Sequence, residues 1–203
     1  VPILKENMPE AGGEAVKLLV EGNKRFVTGS FAPKDAGAAR RKELSAEGQK
    51  PFAVIVGCSD SRVPPEVLFD RSLGDLFVVR VAGNVVDPVA VGSVEYAVEH
   101  LGVPLVVVMG HEKCGAVRAA VDGGEAPGSI GSIVAKIRPS VDRARAAGAA
   151  GKDLYERTAD ENIKATVSAL KESPVIKHFI EEGRLAVTGA KYRLESGEVM
   201  FDF

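Results

Sequence analysis

Cys58, His111 and Cys114 are the side chains of this sequence best suited to hold a soft metal ion, and Cys58 and Cys114 are its only two cysteines. Each lies at or just beyond the end of a short apolar run. Phe52-Ala-Val-Ile-Val-Gly leads straight into Cys58-Ser-Asp-Ser-Arg62, and Val106-Val-Val-Met-Gly leads into His111-Glu-Lys-Cys-Gly115. Two thiolates and one imidazole are ligands that zinc takes, at about 2.3 Å and about 2.0–2.1 Å. Three protein ligands leave a fourth tetrahedral position open, the mark of a catalytic site rather than a closed structural one. Zinc brings the pKa of bound water from about 15.7 toward about 7, so a zinc-bound hydroxide is the expected nucleophile. Two thiolates neutralise the ion and blunt that acidity, which turns attention to Asp60 and Arg62 in the loop leaving Cys58. Asp60 can orient a water on the metal, or can take the fourth position itself. Arg62 is a forked cation able to hold that carboxylate in a bidentate pair.

The elements that must position these groups follow from the pattern. Both apolar runs are too short for a helix and rich in β-branched residues, so they read as strands buried on both faces of a parallel sheet. Leu76–Val81 reads as another such strand. Cys58 meets His111 and Cys114 only if the first and third strands are neighbours. A doubly wound sheet of order 2-1-3-4 provides this, with its ligand crevice where the outgoing loops diverge. The expected fold is therefore one α/β domain over residues 1–203. A helical arm (1–50) precedes a mainly parallel core (51–203), flanked by helices and finished by an antiparallel edge strand.

Further along, helical spacing covers Glu14–Val27, with Gly22 as an interruption, after a first dozen residues that look extended. That helix, distant from the first strand, is expected to pack on a neighbour. Ala38–Ala46, a turn at Glu66–Phe69, a helix opened by Asp87-Pro88 and running to Leu101, and Gly115–Val121 follow. Residues 122–153 read as an irregular excursion plus a helix near Ile133–Ala147. Leu154–Leu170 is helical, Ser173-Pro174 caps the next helix, Leu185–Ala190 is a strand, and a turn at Ser196-Gly197 leads to the edge strand.

Composition narrows the class. With 45% hydrophobic and 27% charged residues the chain is ordinary for a globular protein, and its net charge of −2 with no basic block argues against nucleic acid as a partner. No apolar run approaches the roughly 20 residues that span a bilayer. The chain opens at Val1 with no signal-like pattern, so the expected compartment is the cytoplasm, or the periplasm if a leader precedes Val1.

The two loops resemble the two signatures of the β-class carbonic anhydrases, and Arg80-Val-Ala-Gly-Asn84 and Ser93-Val-Glu-Tyr-Ala97 resemble that family too. The resemblance implies Zn2+ on Cys58, His111 and Cys114, an Asp60–Arg62 dyad, and reversible hydration of carbon dioxide to bicarbonate. In some family members the aspartate ligates zinc at low pH, and the resemblance leaves both roles open to Asp60. A homodimer or tetramer is implied, with the N-terminal helix embracing the partner. A tryptophan-lined bicarbonate pocket, known in some relatives, is not expected in a chain with no tryptophan. For the reaction, the N–H of Gly115 at a helix start is the expected contact for developing negative charge.

Other readings weigh less. Buried cysteines are common, but chance does not account for three ligands at strand ends beside Asp60 and Arg62. A structural zinc site lacks a fourth soft ligand, and a Cys58–Cys114 disulfide leaves His111 unexplained. The rivals for function are hydrolysis of carbonyl sulfide or carbon disulfide at the same site, and a non-catalytic zinc or bicarbonate sensor in which Asp60 occupies the metal. His100 and His178 read as passive helix residues, and Asp75, Glu112 and Lys113 as solvated loop charges. Gly128–Gly131 lacks the context of a phosphate loop.

Overall fold

The computed structural model describes residues 8–201. Helices α1 (Glu10–Thr28) and α2 (Ala38–Glu47) precede strand β1 (Ala53–Gly57). Next come α3 (Pro65–Leu68), β2 (Leu76–Arg80), a 3-10 turn (Ala82–Asn84), α4 (Pro88–Leu101) and β3 (Leu105–His111). Helices α5 (Gly115–Asp122), α6 (Ile130–Ala146), α7 (Gly151–Lys171) and α8 (Pro174–Glu181) lead to β4 (Ala186–Tyr192) and β5 (Val199–Met200).

The strands form one sheet in the order β2-β1-β3-β4-β5. The first four are parallel and β5 is antiparallel to β4. This is the expected 2-1-3-4 order with its antiparallel edge. Every residue of β1 and β3 is buried. Alternation along each strand feeds two cores. Ala53, Ile55, Leu105, Val107 and Met109 face a core shared with α1, α5 and α6, while Val54, Val56, Val106 and Val108 face one built with α4, α7 and α8. A strand buried on both faces has no room for polar alternation, which is why these runs are continuously apolar. Helix caps behave as their chemistry demands: the Asp87 carboxylate accepts from Ala90 N at 2.8 Å, and the Ser173 hydroxyl accepts from Ile176 N at 3.3 Å.

The N-terminal region differs from expectation. Residues 1–7 lie outside the described residues, and Glu10–Gly13, expected to be extended, form the first turn of α1. The helix packs on its own chain, burying Ala15, Val16 and Leu19 in the core beside β1 and β3. Gly22 does not interrupt it. A Cβ there would lie 1.8 Å from the Phe69 carbonyl oxygen, so glycine is what lets α1 approach the end of α3. Helix α2 buries no residue, and Arg40 ties it to the Leu73 carbonyl oxygen. Helices α6 and α7 each begin three residues earlier than expected, at Ile130 and Gly151. Among the described residues, no helix is long and apolar enough to cross a membrane.

Candidate metal centre

Strands β1 and β3 are adjacent and in register, Val56 beside Val108 and Gly57 beside Met109. Their carboxyl ends therefore deliver Cys58 and His111 to one place, and the turn after His111 returns Cys114 to it. One donor atom from each of the three residues lies within 4.8 Å of the others, and all three side chains are buried.

Backbone groups aim each donor. The Cys58 sulfur accepts from Gly83 N at 3.2 Å and from Asp60 N at 3.4 Å. The His111 Nδ1 lies 2.8 Å from the Glu112 carbonyl oxygen, which can only accept, so Nδ1 carries the proton and Nε2 is left with its lone pair. That Nε2 is buried and has no hydrogen-bond partner among the described residues. Cys114 is the N-cap residue of α5, which places its sulfur at the start of that helix. The Cys114 thiol beside it lowers Cys58 to about 4 against the pull of burial, with help from the Gly83 and Asp60 amides. The same contact, reinforced by burial, pushes Cys114 upward. An orphaned imidazole nitrogen facing a readily ionised thiol, with a second sulfur alongside, is a donor set that fits a tetrahedral zinc ion.

Asp60 stands apart from this cluster. Its carboxylate is held by Arg62, from Nε to Oδ1 at 2.9 Å and from Nη2 to Oδ2 at 2.7 Å, and Arg62 N also donates to Oδ1 at 3.0 Å. The Arg62 side chain, through the hydrogen bonds it donates, holds the Asp60 carboxyl well below the usual carboxylate range. The free side of Oδ2 is 3.9 Å from His111 Nε2, next to the cluster but outside it.

Several residues that the spacing did not single out brace the loops. Arg80, opposite Gly57 in the sheet, donates from Nε to the Cys58 carbonyl oxygen at 2.8 Å and from Nη2 to that of Asp60 at 2.6 Å. It falls within the Arg80–Asn84 stretch, which was the available signal. Glu156 on α7 accepts from Lys113 N at 3.2 Å and pairs with Lys191 at 2.8 Å, supporting a turn in which Lys113 has φ of 52°. Glu112 is more than a solvated charge, since its carboxylate accepts from Leu194 N at 3.1 Å. Asp75 likewise accepts from Ser72 N at 2.9 Å. Gly115 is exposed, with open space over its Cα. A cavity of about 660 Å³ opens beside Cys114, walled by Val117, Tyr155 and Glu156 and rimmed by Lys113, Arg118 and Lys152. His100 and His178 are exposed on α4 and α8, against Tyr96 and Phe179.

Comparison with known proteins gives the same answer. A family model described as carbonic anhydrase matches residues 53–199. A carbonic anhydrase of Mycolicibacterium smegmatis is 43% identical over 198 residues, covering 95% of this chain and 94% of the relative. Carbonic anhydrase 2 of Mycobacterium tuberculosis is 44% identical over 191 residues, 92% and 90% of the two chains. Among solved structures, a tetrameric β-carbonic anhydrase from Sordaria macrospora superposes with a TM-score of 0.75 at 28% identity, covering 81% of this chain and 86% of that one. With its strand order, its paired signature loops and these relatives all agreeing, the chain belongs to the β-class carbonic anhydrases.

Proposed function

We propose that the chain interconverts carbon dioxide and bicarbonate with a zinc ion held by Cys58, His111 and Cys114. The observation that carries this is the convergence of three buried donors with an unpartnered imidazole nitrogen, while the nearest carboxylate is already engaged by Arg62. Zinc bound there would supply a Lewis acid that ionises water near neutral pH.

The remaining work falls to the protein. Arg62 keeps Asp60 turned toward itself, so one position near the sulfurs stays available to water. The outward lone pairs of Asp60 Oδ2 then accept a hydrogen bond from that water and fix its direction. Held ionised by Arg62, the carboxylate is an acceptor only, which selects a water or hydroxyl that donates to it. The Gly115 N–H lies in the first turn of α5, where helix geometry leaves it no internal partner, and it is positioned to receive an oxygen of the product. The Asp60–Arg62 pair also supports catalysis over a sensor in which Asp60 blocks the metal.

Self-association belongs to the same proposal. Among the described residues strand β2 pairs with β1 alone, and its open edge carries Leu76, Phe77, Val78 and Val79, all partly exposed. An apolar edge of this kind is normally paired or covered, and a second copy is the proposed cover. The Sordaria relative is described as tetrameric.

Metal analysis combined with stopped-flow assays on carbon dioxide and carbonyl sulfide tests the reading. One zinc per chain and carbon dioxide hydration are expected, and Cys58→Ala should lose both together. Zinc-loaded protein active only on carbonyl sulfide, or a Cys58→Ala variant that keeps metal and activity, would overturn it.

A further inference from the structure

We propose that Asn162 is a positioning residue of the metal centre: from α7 it clamps the Gly83 peptide so that the Gly83 N–H stays aimed at the Cys58 sulfur. This rests on the metal reading above and extends it to a residue outside both signature loops.

The connection is two hydrogen bonds long. Asn162 Nδ2 donates to the Gly83 carbonyl oxygen at 2.7 Å, and Gly83 N donates to Cys58 Sγ at 3.2 Å; both bonds are buried. The two Gly83 groups belong to different peptide planes, joined by the φ and ψ of Gly83 itself. Gly83 has φ of 73° and is followed by Asn84 with φ of 46°, so two successive residues are left-handed. Such a pair is not a conformation that the backbone holds by itself, and glycine adds freedom at the very joint that sets the N–H direction. A side chain cannot stiffen the position from within. A Cβ at Gly83 would lie 2.7 Å from Ile137 Cδ1 and 3.0 Å from Ala116 Cβ. The turn has one internal tie, from Asn84 N to the Val81 carbonyl oxygen at 2.9 Å, and the carbonyl of Gly83 is anchored by Asn162.

Placement supports a dedicated role. Asn162 is 1% exposed. It belongs to a buried polar stripe on α7 with Thr158 and Thr166, beside the apolar Ala159, Ile163 and Leu170. A buried amide costs free energy unless bonded, and here its donor is spent on a loop whose own donor faces the metal ligand. Hydrogen bonds to a ligating thiolate draw electron density from sulfur and fix its orientation, and outer-shell groups of this kind typically change metal affinity by roughly 10- to 100-fold.

The test uses full-length protein loaded with Co2+, whose sulfur-to-metal charge-transfer band reports the electron density on the thiolates. Asn162→Ala and the gentler Asn162→Ser should shift that band to longer wavelength. Both should also release cobalt to a chelator roughly 10-fold or more faster than wild type. Thr166→Val, on the same buried stripe, controls for loss of packing and should move neither readout. In wild-type protein loaded with NMR-active cadmium, the Gly83 amide proton should show scalar coupling to the metal through sulfur, a measurement that needs no variant. An unshifted band with chelator release within twofold of wild type in either variant, or no such coupling in wild type, overturns the role of Asn162. Wild-type protein with no charge-transfer band at all would overturn the metal reading, and this inference with it.

Discussion

Arg62 grips Asp60 through both carboxylate oxygens, at 2.9 and 2.7 Å, only 3.9 Å from the ring nitrogen of His111. The grip bears directly on the proposed role of the aspartate: an unheld carboxylate beside a divalent ion would compete for its open position, whereas one held by Arg62 would direct a water there.

Arg62→Ala is therefore expected to lower carbon dioxide hydration by roughly two orders of magnitude, the usual scale for losing a positioned polar group. Zinc content should be kept, since Arg62 touches none of the three donors. X-ray absorption should show an added carboxylate oxygen at the metal. Activity within twofold of wild type would show that the pair is ornamental.

Arg80 holds the carbonyls of Cys58 and Asp60 with two arms of one guanidinium. Lysine keeps the charge but not the fork. Arg80→Lys should weaken zinc retention about 10-fold in chelator competition, consistent with an outer support of a metal ligand. Unchanged retention would place the stiffness of the loop elsewhere.

Two glycines of α1 should respond in opposite directions. Gly22→Ala places a methyl 1.8 Å from the Phe69 carbonyl oxygen and should cost about 3 kcal/mol or more, read as a lower denaturant midpoint. At Gly13 a Cβ meets nothing within 4 Å. Gly13→Ala should stabilise by about 0.5–1 kcal/mol through helix propensity. Equal effects at the two sites would contradict the packing of α1 on its own core.

Asp70 gives the protein an acid-sensitive tie. Its side chain is fully buried, with Arg25 Nε at 2.6 Å, Ala32 N at 3.0 Å and Lys34 Nζ at 3.5 Å. Burial alone would raise its pKa, but the Arg25 hydrogen bond, the Ala32 amide and the Lys34 charge outweigh it, and the folded value lies below the ordinary one. The unfolded chain then binds the proton more readily. The stabilisation is complete above the unfolded pKa of about 4 and fades as pH falls from there through the folded pKa. Asp70→Asn should cost about 2–4 kcal/mol at pH 7, and the gap to wild type should narrow in urea titrations near pH 3. A gap independent of pH would remove Asp70 as its source.

What the sequence by itself determined was everything carried by local pattern and chemical type. Continuous β-branched runs can only be strands buried on both faces, and a ligand at the end of each such strand implies a shared site when the two are neighbours. The first three strands, the carboxyl-end location of the ligands and the family resemblance are all legible in residues 52–121. The tertiary structure decided the matters in which a residue's meaning depends on a partner far along the chain. Gly22 looks like a helix breaker until the carbonyl of Phe69 is seen against it. The N-terminal helix looks detached until Leu19 is found in the core of a strand that begins more than thirty residues later. Glu156 and Asn162 look like ordinary helix residues until the fold lays α7 across both loops. Hydrogen bonds of that kind have no period and no spacing, because the two ends are brought together only by packing, and packing is a property of the whole chain.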